Sequence, residues 1–405
     1  MIEHLDEEMR KRKVEAICVL GDTTLANPDL TYVVGGSLPR GGVYFKRARS
    51  DSLLVTNNLD LGLAKKYGRV KRIETFTDRG FEKLAAKHGR TKALPLFIAS
   101  VLREKGVKGS VVVFGRNDLA TGVNLVDELR RVGVKARGES SPTILEVARE
   151  TKRSEEIEEI RCVGRKTAAI VDEVVEALRN LKRKRGHLQL GRQRATVGLF
   201  KTLISSRFAS QELIAPEGTI FATGPSSAEG HNMGVSADEI REGRLIVFDL
   251  FPQAETGYWF DLTRSFIVGR ADSKARRLYD TVREAQEASL DFLREGVTGE
   301  EAMSRACGVI ERAGFRTLRE IYQGRAKSIG SGFNHSLGHG VGLTIGERPY
   351  LSFLSKDRLK RREVVTVEPG VYLRGYGGVR IEDTVAITHK GVDNLGRVSN
   401  EFELA

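Results

Sequence analysis

The segment that decides the fold is VVTVEPGVYLRGYGGVRIED, residues 364–383. The β-branched residues 364–367 predict a buried strand that ends at Glu368, just before a Pro-Gly turn. A second strand-like run, residues 380–387, contains Glu382. Both acids are flanked by residues that would bury them, and a buried carboxylate is costly unless it is paired or bound to a metal. The segment therefore predicts a polar site built at the ends of buried strands.

Further acids and histidines occupy similar positions elsewhere in the chain. Asp249 follows the apolar run 245–248, and Asp261 lies on the expected return strand of a hairpin, within YWFDLTR. His335 and His339 lie in the glycine-rich HSLGHGVGL. Because glycines interrupt it, this last segment is expected to be strand or loop rather than helix.

Four acids and one imidazole form a ligand set that suits two divalent cations. Carboxylates offset the metal charge, and bridging carboxylates hold two ions a few Å apart. Oxygen-rich ligation with one histidine favours Mn²⁺ or Co²⁺, and Fe²⁺ and Zn²⁺ are also suited. For any single acid, a salt bridge to Arg264 or Arg380 is the plainer interpretation. For all five positions together, each near a strand end, a metal centre is the better one.

These motifs, in this order, resemble the pita-bread metallopeptidases of the creatinase, prolidase and aminopeptidase P branch. The resemblance rests on FD (248–249), YWFDLTR (258–264), HSLGHGVGL (335–343), VEPGVY (367–372) and GVRIED (378–383). The separation of Glu368 from Glu382 is also the family's spacing. GPSSAEGH (224–231) resembles the family's approach to an active-site histidine, and ANPDLTY (26–32) resembles the opening of a creatinase-like N-terminal domain.

The resemblance implies an α+β protein with two domains. A smaller creatinase-like α/β domain, residues 1–150, would precede a pita-bread catalytic domain, residues 151–405. Strands are expected at 14–20, 30–34, 43–45, 52–55, 111–114, 219–223, 245–250, 258–267, 364–367 and 380–387. Helices are expected at 81–87, 96–105 and 119–132, from Ser154 onward, at 273–295, and from a capping box at Thr298.

The resemblance also implies a role for each site residue. The metal ligands would be Asp249 on one ion, His339 and Glu368 on the other, and Asp261 and Glu382 bridging both. A hydroxide bridging the metals would be the nucleophile, and Glu368 would shuttle its proton to the leaving amine. His231 and His335 would hold the substrate or the tetrahedral intermediate, and Arg380 would orient neighbouring ligands or a substrate carboxylate.

The chain departs from the family at one important position. The family carries a further histidine seven residues after the metal-binding one, and Gly346 stands there in this chain. That histidine would donate to the scissile carbonyl oxygen or its oxyanion, and losing one such donor costs on the order of 10²–10³ in rate. Arg348 is a candidate substitute. A longer gap between Asp249 and Asp261 is expected to be a change at a hairpin tip only.

The expected activity is hydrolysis of Xaa-Pro peptide bonds by a dinuclear metal exopeptidase. The substrate would be a peptide with proline at its second position, and both an Xaa-Pro aminopeptidase and an Xaa-Pro dipeptidase remain open. One alternative is a hydrolase or lyase of the same fold that acts on a non-peptide small molecule. Another, favoured by Gly346, is a catalytically idle peptide-binding homologue.

Composition narrows the class of protein. The 405 residues carry 66 Lys and Arg against 54 Asp and Glu, a net charge of +12, and 40% are hydrophobic, which excludes a disordered chain. The basic residues are dispersed and lack interleaved aromatic residues, so a nucleic-acid partner is not expected. Three separated cysteines, a charged start and short apolar runs lead us to expect a cytoplasmic protein without a secretory signal or membrane span. A homodimer is expected by resemblance alone.

Overall fold

The computed structural model describes residues 2–404, with side chains from residue 5 onward. The chain forms two compact units. One comprises the residues up to 149 together with Glu255–Gly257, and the other comprises Glu150–Ala254 with the residues from 258 onward. The roles expected for residues 1–150 and 151–405 stay predictions.

The first unit is built on one six-stranded mixed sheet, in the order β4-β3-β2-β1-β5-β6. Its strands are β1 (Ala16–Gly21), β2 (Gly42–Arg47), β3 (Leu53–Thr56), β4 (Arg72–Thr75), β5 (Ser110–Phe114) and β6 (Lys135–Arg137). The helices are α1 (Ile2–Lys11), α2 (Pro28–Val34), α3 (Leu61–Tyr67), α4 (Phe81–His88), α5 (Arg90–Glu104), α6 (Leu119–Arg131) and α7 (Ile144–Glu150). Apolar residues of β1, β2, β3 and β5 pack against α5 and α6 to form its core.

The strand expected at residues 30–34 was wrong, because this segment forms the last five residues of helix α2. Asn27 is its N-cap, and the Asn27 side chain accepts a hydrogen bond from the backbone of Leu30 at 3.1 Å. Pro28 occupies the first helical turn, where its missing N–H costs nothing. These two start signals outweigh the strand propensity of the β-branched residues that follow.

Within its described residues, the second unit contains five α-helices and several small sheets. The helices are α8 (Ser154–Arg179), α9 (Val197–Ser210), α10 (Ser273–Phe292), α11 (Gly299–Arg312) and α12 (Arg319–Tyr322), with a 3₁₀ helix at Gly224–Ala228. The strands are β7 (Lys182–Lys184), β8 (His187–Leu190), β9 (Gln193–Arg194), β10 (Leu213–Ile214), β11 (Ile220–Thr223), β12 (Leu245–Leu250), β13 (Gln253–Ala254), β14 (Leu262–Val268), β15 (Gly338–Val341), β16 (Ile345–Leu351), β17 (Val364–Val367), β18 (Gly370–Leu373), β19 (Gly377–Arg380), β20 (Asp383–Ile387), β21 (Val392–Asn394) and β22 (Glu403–Leu404).

Two sheets of this unit supply the strands that concern the site. One has the order β11-β12-β14-β22 and the other β16-β15-β17-β20-β21, while β18 and β19 form a separate ribbon. Buried residues of α10 and α11 pack against β17, β19 and β20 in one continuous apolar core. The strand ends that carry the predicted acids are therefore fixed by a large hydrophobic core.

Some predicted elements need correction. The hairpin return strand begins at Leu262 and not at 258, so Asp261 immediately precedes the strand. Helix α9 was not predicted, although Thr196 caps it and its buried residues recur at a helical spacing. Among the described helices, none combines the length and apolar character that a membrane crossing requires.

Candidate metal centre

A cavity of about 760 Å³ in the second unit gathers all the residues predicted as metal ligands or catalytic groups, but not the candidate substitute Arg348. Its lining includes the five predicted metal ligands Asp249, Asp261, His339, Glu368 and Glu382. It also includes His231, His335, Arg380 and Gly346. These residues come from segments separated by up to about 150 positions, so the fold alone brings them together.

Neighbouring strands position three of these acids, Asp249, Asp261 and Glu382. Asp249 lies on β12 directly opposite Thr263 of β14. The Thr263 hydroxyl donates to Oε2 of Glu382 at 2.6 Å, and the Thr263 carbonyl accepts from the Glu382 backbone N–H at 3.0 Å. Thr384 likewise donates to the backbone carbonyl of Asp261 at 2.8 Å. Hydrogen bonds from threonine hydroxyls thus hold Glu382 and the backbone of Asp261 in place.

His339 presents one nitrogen to the carboxylates. Its Nε2 lies 3.6 Å from Oδ2 of Asp261 and 3.5 Å from Oε1 of Glu368. Its Nδ1 lies 3.1 Å from the carbonyl oxygen of Gly340, which only accepts, so Nδ1 carries the proton. In the neutral ring Nε2 is then the nitrogen without a proton, which is the form that binds a metal. Ligand atoms of Asp261, His339 and Glu382 all lie within 4.8 Å of one another.

Three oxygens of this cluster are buried without a partner in the described part of the chain. They are Oδ1 of Asp249, Oδ1 of Asp261 and Oε1 of Glu382. Each such atom costs about 1–3 kcal/mol if nothing satisfies it. Clustered, hard oxygen donors beside one imidazole are what divalent cations such as Mn²⁺ and Co²⁺ bind. The residues present therefore fit a metal centre.

The electrostatics of the cluster lead to the same conclusion. Burial and the neighbouring Glu382 raise the pKa of Asp261 well above its usual range. Burial and the charges of Glu368 and Asp249 raise the pKa of Glu382 in the same way. Burial also raises the pKa of Glu368. Four carboxylates this close cannot all be ionised comfortably unless cations lie among them.

Arg380 is only 3% exposed, and its guanidinium faces the protein. It donates to Thr263 at 3.1 Å, to the carbonyl oxygen of Gly230 at 3.0 Å, to the hydroxyl of Tyr372 at 2.8 Å, and to Oδ2 of Asp249. These bonds occupy four of its five N–H donors. The geometry matches the first of the two expected roles, orienting the ligands; a two-bond pairing with a substrate carboxylate would break an existing bond.

His335 has hydrogen bonds at both ring nitrogens. Nδ1 lies 2.8 Å from the carbonyl oxygen of Ser336, which only accepts, so Nδ1 donates. Nε2 lies 3.1 Å from the Tyr372 hydroxyl and therefore accepts its proton. Burial, with the nearby charge of Arg380, lowers the pKa of His335 to about 3. The ring is thus neutral and fixed between Ser336 and Tyr372.

The remaining predicted residues have simpler settings. His231 is exposed in a turn at the cavity wall, three residues beyond the 3₁₀ helix. Gly346 has a φ of +73°, and a side chain there would meet nothing within 4 Å. Arg348, the candidate substitute, instead bonds Glu150 at 2.5 Å and Asp357 at 2.9 Å and does not line the cavity in the described structure.

Several residues to which the sequence analysis gave no role contact the predicted site residues or line the cavity. Thr263, Thr366 and Tyr372 hydrogen-bond the predicted site residues, and all three lie within or beside the motifs already quoted. Asn334 and Ser336 line the cavity with neutral polar groups. Their positions next to His335 were the only signal in the sequence, since neither residue type is distinctive by itself.

Comparison with known proteins places these observations in context. The sequence profile described as metallopeptidase family M24 matches residues 158–389. The Xaa-Pro dipeptidase of Pyrococcus furiosus is 40% identical over 185 residues, which are 45% of this chain and 48% of that protein. A probable dipeptidase, PepE, of Mycobacterium tuberculosis is 33% identical over 183 residues, 45% of each chain. The chain spans about half the length of the curated relatives it matches.

Solved structures align over nearly the whole chain. The prolidase of Pyrococcus horikoshii OT3 covers 99% of both chains with 25% identity and a TM-score of 0.73. An Xaa-Pro dipeptidase from Bacillus anthracis covers 99% of this chain and 98% of that one, with 22% identity and a TM-score of 0.77. At that lower identity the second likeness speaks for the fold alone.

Proposed function

Because the chain belongs to metallopeptidase family M24, we propose that it is a metal-dependent exopeptidase that cleaves the peptide bond before a proline. The expected pita-bread fold, with its additional α/β unit, is confirmed by the family match and the aligned structures. The observation that carries the proposal is the group of three buried, partnerless carboxylate oxygens beside His339. Such a group fits catalytic cations far better than a structural salt bridge.

In this proposal the five predicted ligands hold two divalent cations. When bound, the cations would lower the pKa of a water molecule and so supply the nucleophile. Glu368 would carry the proton of that water to the proline nitrogen, as a positioned general acid and base. Thr366, which donates to Glu368 at 3.2 Å, would keep this carboxylate in place. Arg380 would hold Asp249 in its ligand position.

The wall of the cavity suits proline. Ile220, Met233, Phe251 and Ile345 give it an apolar side next to the acids. A pyrrolidine ring can pack on such a surface without hydrogen bonds, because the proline nitrogen has no N–H in the peptide. The exposed His231 would donate to the substrate carbonyl. The Xaa-Pro dipeptidase names of the relatives support this substrate class.

The test is a peptide assay with metal added or removed. Metal-free protein, prepared with EDTA, is supplied with Mn²⁺ or Co²⁺ and given Ala-Pro-containing and matched Ala-Ala-containing peptides. We expect release of alanine from the proline peptides only, and only with metal. Binding of metal without cleavage of any peptide would contradict the proposal. The cytoplasmic location and the homodimer stay predictions, and gel filtration with light scattering tests the second.

A further inference from the structure

The charges that line the cavity determine whether it favours a dipeptide or a longer peptide. This inference rests on the proposed function. A free Xaa-Pro dipeptide carries an ionised carboxylate two bonds from the proline nitrogen. A peptide that continues beyond proline carries a neutral amide at the same place. A carboxylate taken out of water needs a cation as partner, whereas an amide needs only neutral hydrogen-bond partners. The cations that line the cavity therefore decide between them.

Arg380 is the only arginine or lysine in the described lining of the cavity. Its guanidinium is already bonded to Asp249, Thr263, Tyr372 and the carbonyl oxygen of Gly230. These bonds use four of its five N–H donors, and a substrate carboxylate could take a second donor only by leaving Asp249 or Tyr372 without its partner. Arg380 can thus offer a bound carboxylate at most a single N–H and not a two-bond pairing.

The histidines offer few free N–H donors to a carboxylate. His335 donates through Nδ1 to Ser336 and accepts through Nε2 from Tyr372, so neither nitrogen faces the substrate with a spare N–H. His339 donates through Nδ1 to Gly340 and points Nε2 at the carboxylates. His231 is exposed, so water competes for it and the charge of a bound carboxylate would be met weakly.

The proposed metal centre offers no excess positive charge to a substrate carboxylate. Its four carboxylates, Asp249, Asp261, Glu368 and Glu382, bring four negative charges, which balance two divalent cations. A fifth carboxylate, Glu217, lies exposed in the wall of the same cavity and would repel another anion. The total charge that an entering carboxylate meets is therefore close to neutral or negative.

Neutral groups, in contrast, are well supplied. Asn334 and Ser336 line the cavity with an amide and a hydroxyl, which can hydrogen-bond the peptide groups of a longer chain. Gly346 leaves open space at the wall, since nothing lies within 4 Å of where its side chain would be. Both features favour a substrate whose backbone continues.

We propose that this cavity selects peptides that continue beyond the proline and discriminates against free Xaa-Pro dipeptides. The activity is then that of an Xaa-Pro aminopeptidase rather than a dipeptidase.

The test compares three substrates of the full chain loaded with Mn²⁺: Ala-Pro, its C-terminal amide and Ala-Pro-Ala. The amide separates charge from length, because it differs from Ala-Pro only by replacing the carboxylate. We expect kcat/KM for the amide and the tripeptide to exceed that for Ala-Pro by about tenfold or more. A kcat/KM for Ala-Pro equal to or above that of the amide would overturn the inference alone. Cleavage of none of the three would overturn the proposed function as well.

A substitution at Tyr372 tests whether the hydrogen bonds of Arg380 cause this substrate preference. Tyr372→Phe removes the hydroxyl that accepts from Arg380 and should free a second N–H donor of this guanidinium. We expect the ratio of amide to free dipeptide kcat/KM to fall by about threefold or more. Tyr376→Phe is the matched control, because Tyr376 bonds Asp272 outside the cavity, and it should keep the wild-type ratio. An unchanged ratio in Tyr372→Phe would contradict the role given to Arg380.

Discussion

Gly346 stands at the position where the resemblance leads us to expect a histidine. Its φ of +73° is a conformation that glycine adopts freely and other residues adopt at a cost of about 1 kcal/mol. The space around it is open, so a larger side chain would not collide with its neighbours. The position tolerates a histidine sterically but not without strain.

Restoring this histidine should raise the rate. If the missing donor limits the proposed reaction, Gly346→His increases kcat by about tenfold or more, although it destabilises the fold by about 1 kcal/mol. Gly346→Ala carries the same strain without a donor and is the control. Steady-state kinetics on Ala-Pro-Ala and urea unfolding measure the two effects. A kcat no higher than that of the alanine variant would show that another group supplies the donor.

His335 should make the stability of the protein depend on pH. Its pKa is about 3 in the folded chain against an ordinary value of 6.5, so the folded state binds fewer protons than the unfolded state between these values. The stability it contributes is complete above pH 6.5 and is lost as pH falls toward 3. His335→Gln replaces the imidazole with an amide side chain that does not titrate.

We therefore expect metal-free wild-type protein to lose more unfolding free energy between pH 7 and pH 5 than His335→Gln does. Urea unfolding in EDTA at both pH values measures the difference, and the acids of the centre affect both proteins alike. Equal losses in the two proteins would mean that His335 does not stay neutral when it is buried.

At the scale of elements, the local sequence was sufficient to predict a strand where one hydrophobic pattern dominated the segment. Strands β12 and β17 were predicted with the bounds that the structure has, because unbroken apolar and β-branched runs fit only buried strands. The strand expected at 30–34 failed because capping at Asn27 overrode propensity. The five proposed ligands come from motifs and resemblance, but the bonds of Arg380 and Tyr372 depend on contacts between distant strands. No local pattern encodes those contacts.

Arg264 on β14 illustrates how strands align the ligands. Its guanidinium donates to the carbonyl oxygens of Thr263 and Glu382 at 2.9 and 2.6 Å and to Asp383 at 2.8 Å. Gln286 donates to the same Asp383 at 2.7 Å. This buried network joins β14, which follows the proposed bridging ligand Asp261, to β20, which follows the other one, Glu382.

Arg264→Lys should weaken metal binding without touching a ligand. Lysine keeps the charge but cannot reach several acceptors at once, so we expect a loss of about 2 kcal/mol or more in unfolding free energy. We also expect Mn²⁺ affinity to fall by about tenfold, because Glu382 is less well fixed. Calorimetric titration measures the affinity, and the exposed Arg270→Lys is the control. Wild-type affinity in Arg264→Lys would contradict this positioning role.

At the scale of the whole molecule, metal should stabilise the fold. Repulsion among the four acids, three of which are buried, and the partnerless oxygens of those three destabilise the metal-free protein. A ligand that binds only the folded state at 100 times its Kd adds about 2.7 kcal/mol per site. We expect Mn²⁺ to raise the thermal midpoint of wild type but not of Asp261→Asn. No rise in wild type would mean that the acids are satisfied in some other way.

The central claim, that five residues hold two cations, is tested most directly by counting them. Protein reconstituted with Mn²⁺ and dialysed is analysed for metal by inductively coupled plasma mass spectrometry. The account predicts about two ions per chain in wild type and a loss of both in Glu382→Gln, since a bridging ligand serves both ions. A wild-type chain that retains no metal, or a Glu382→Gln chain that retains both ions, would contradict it.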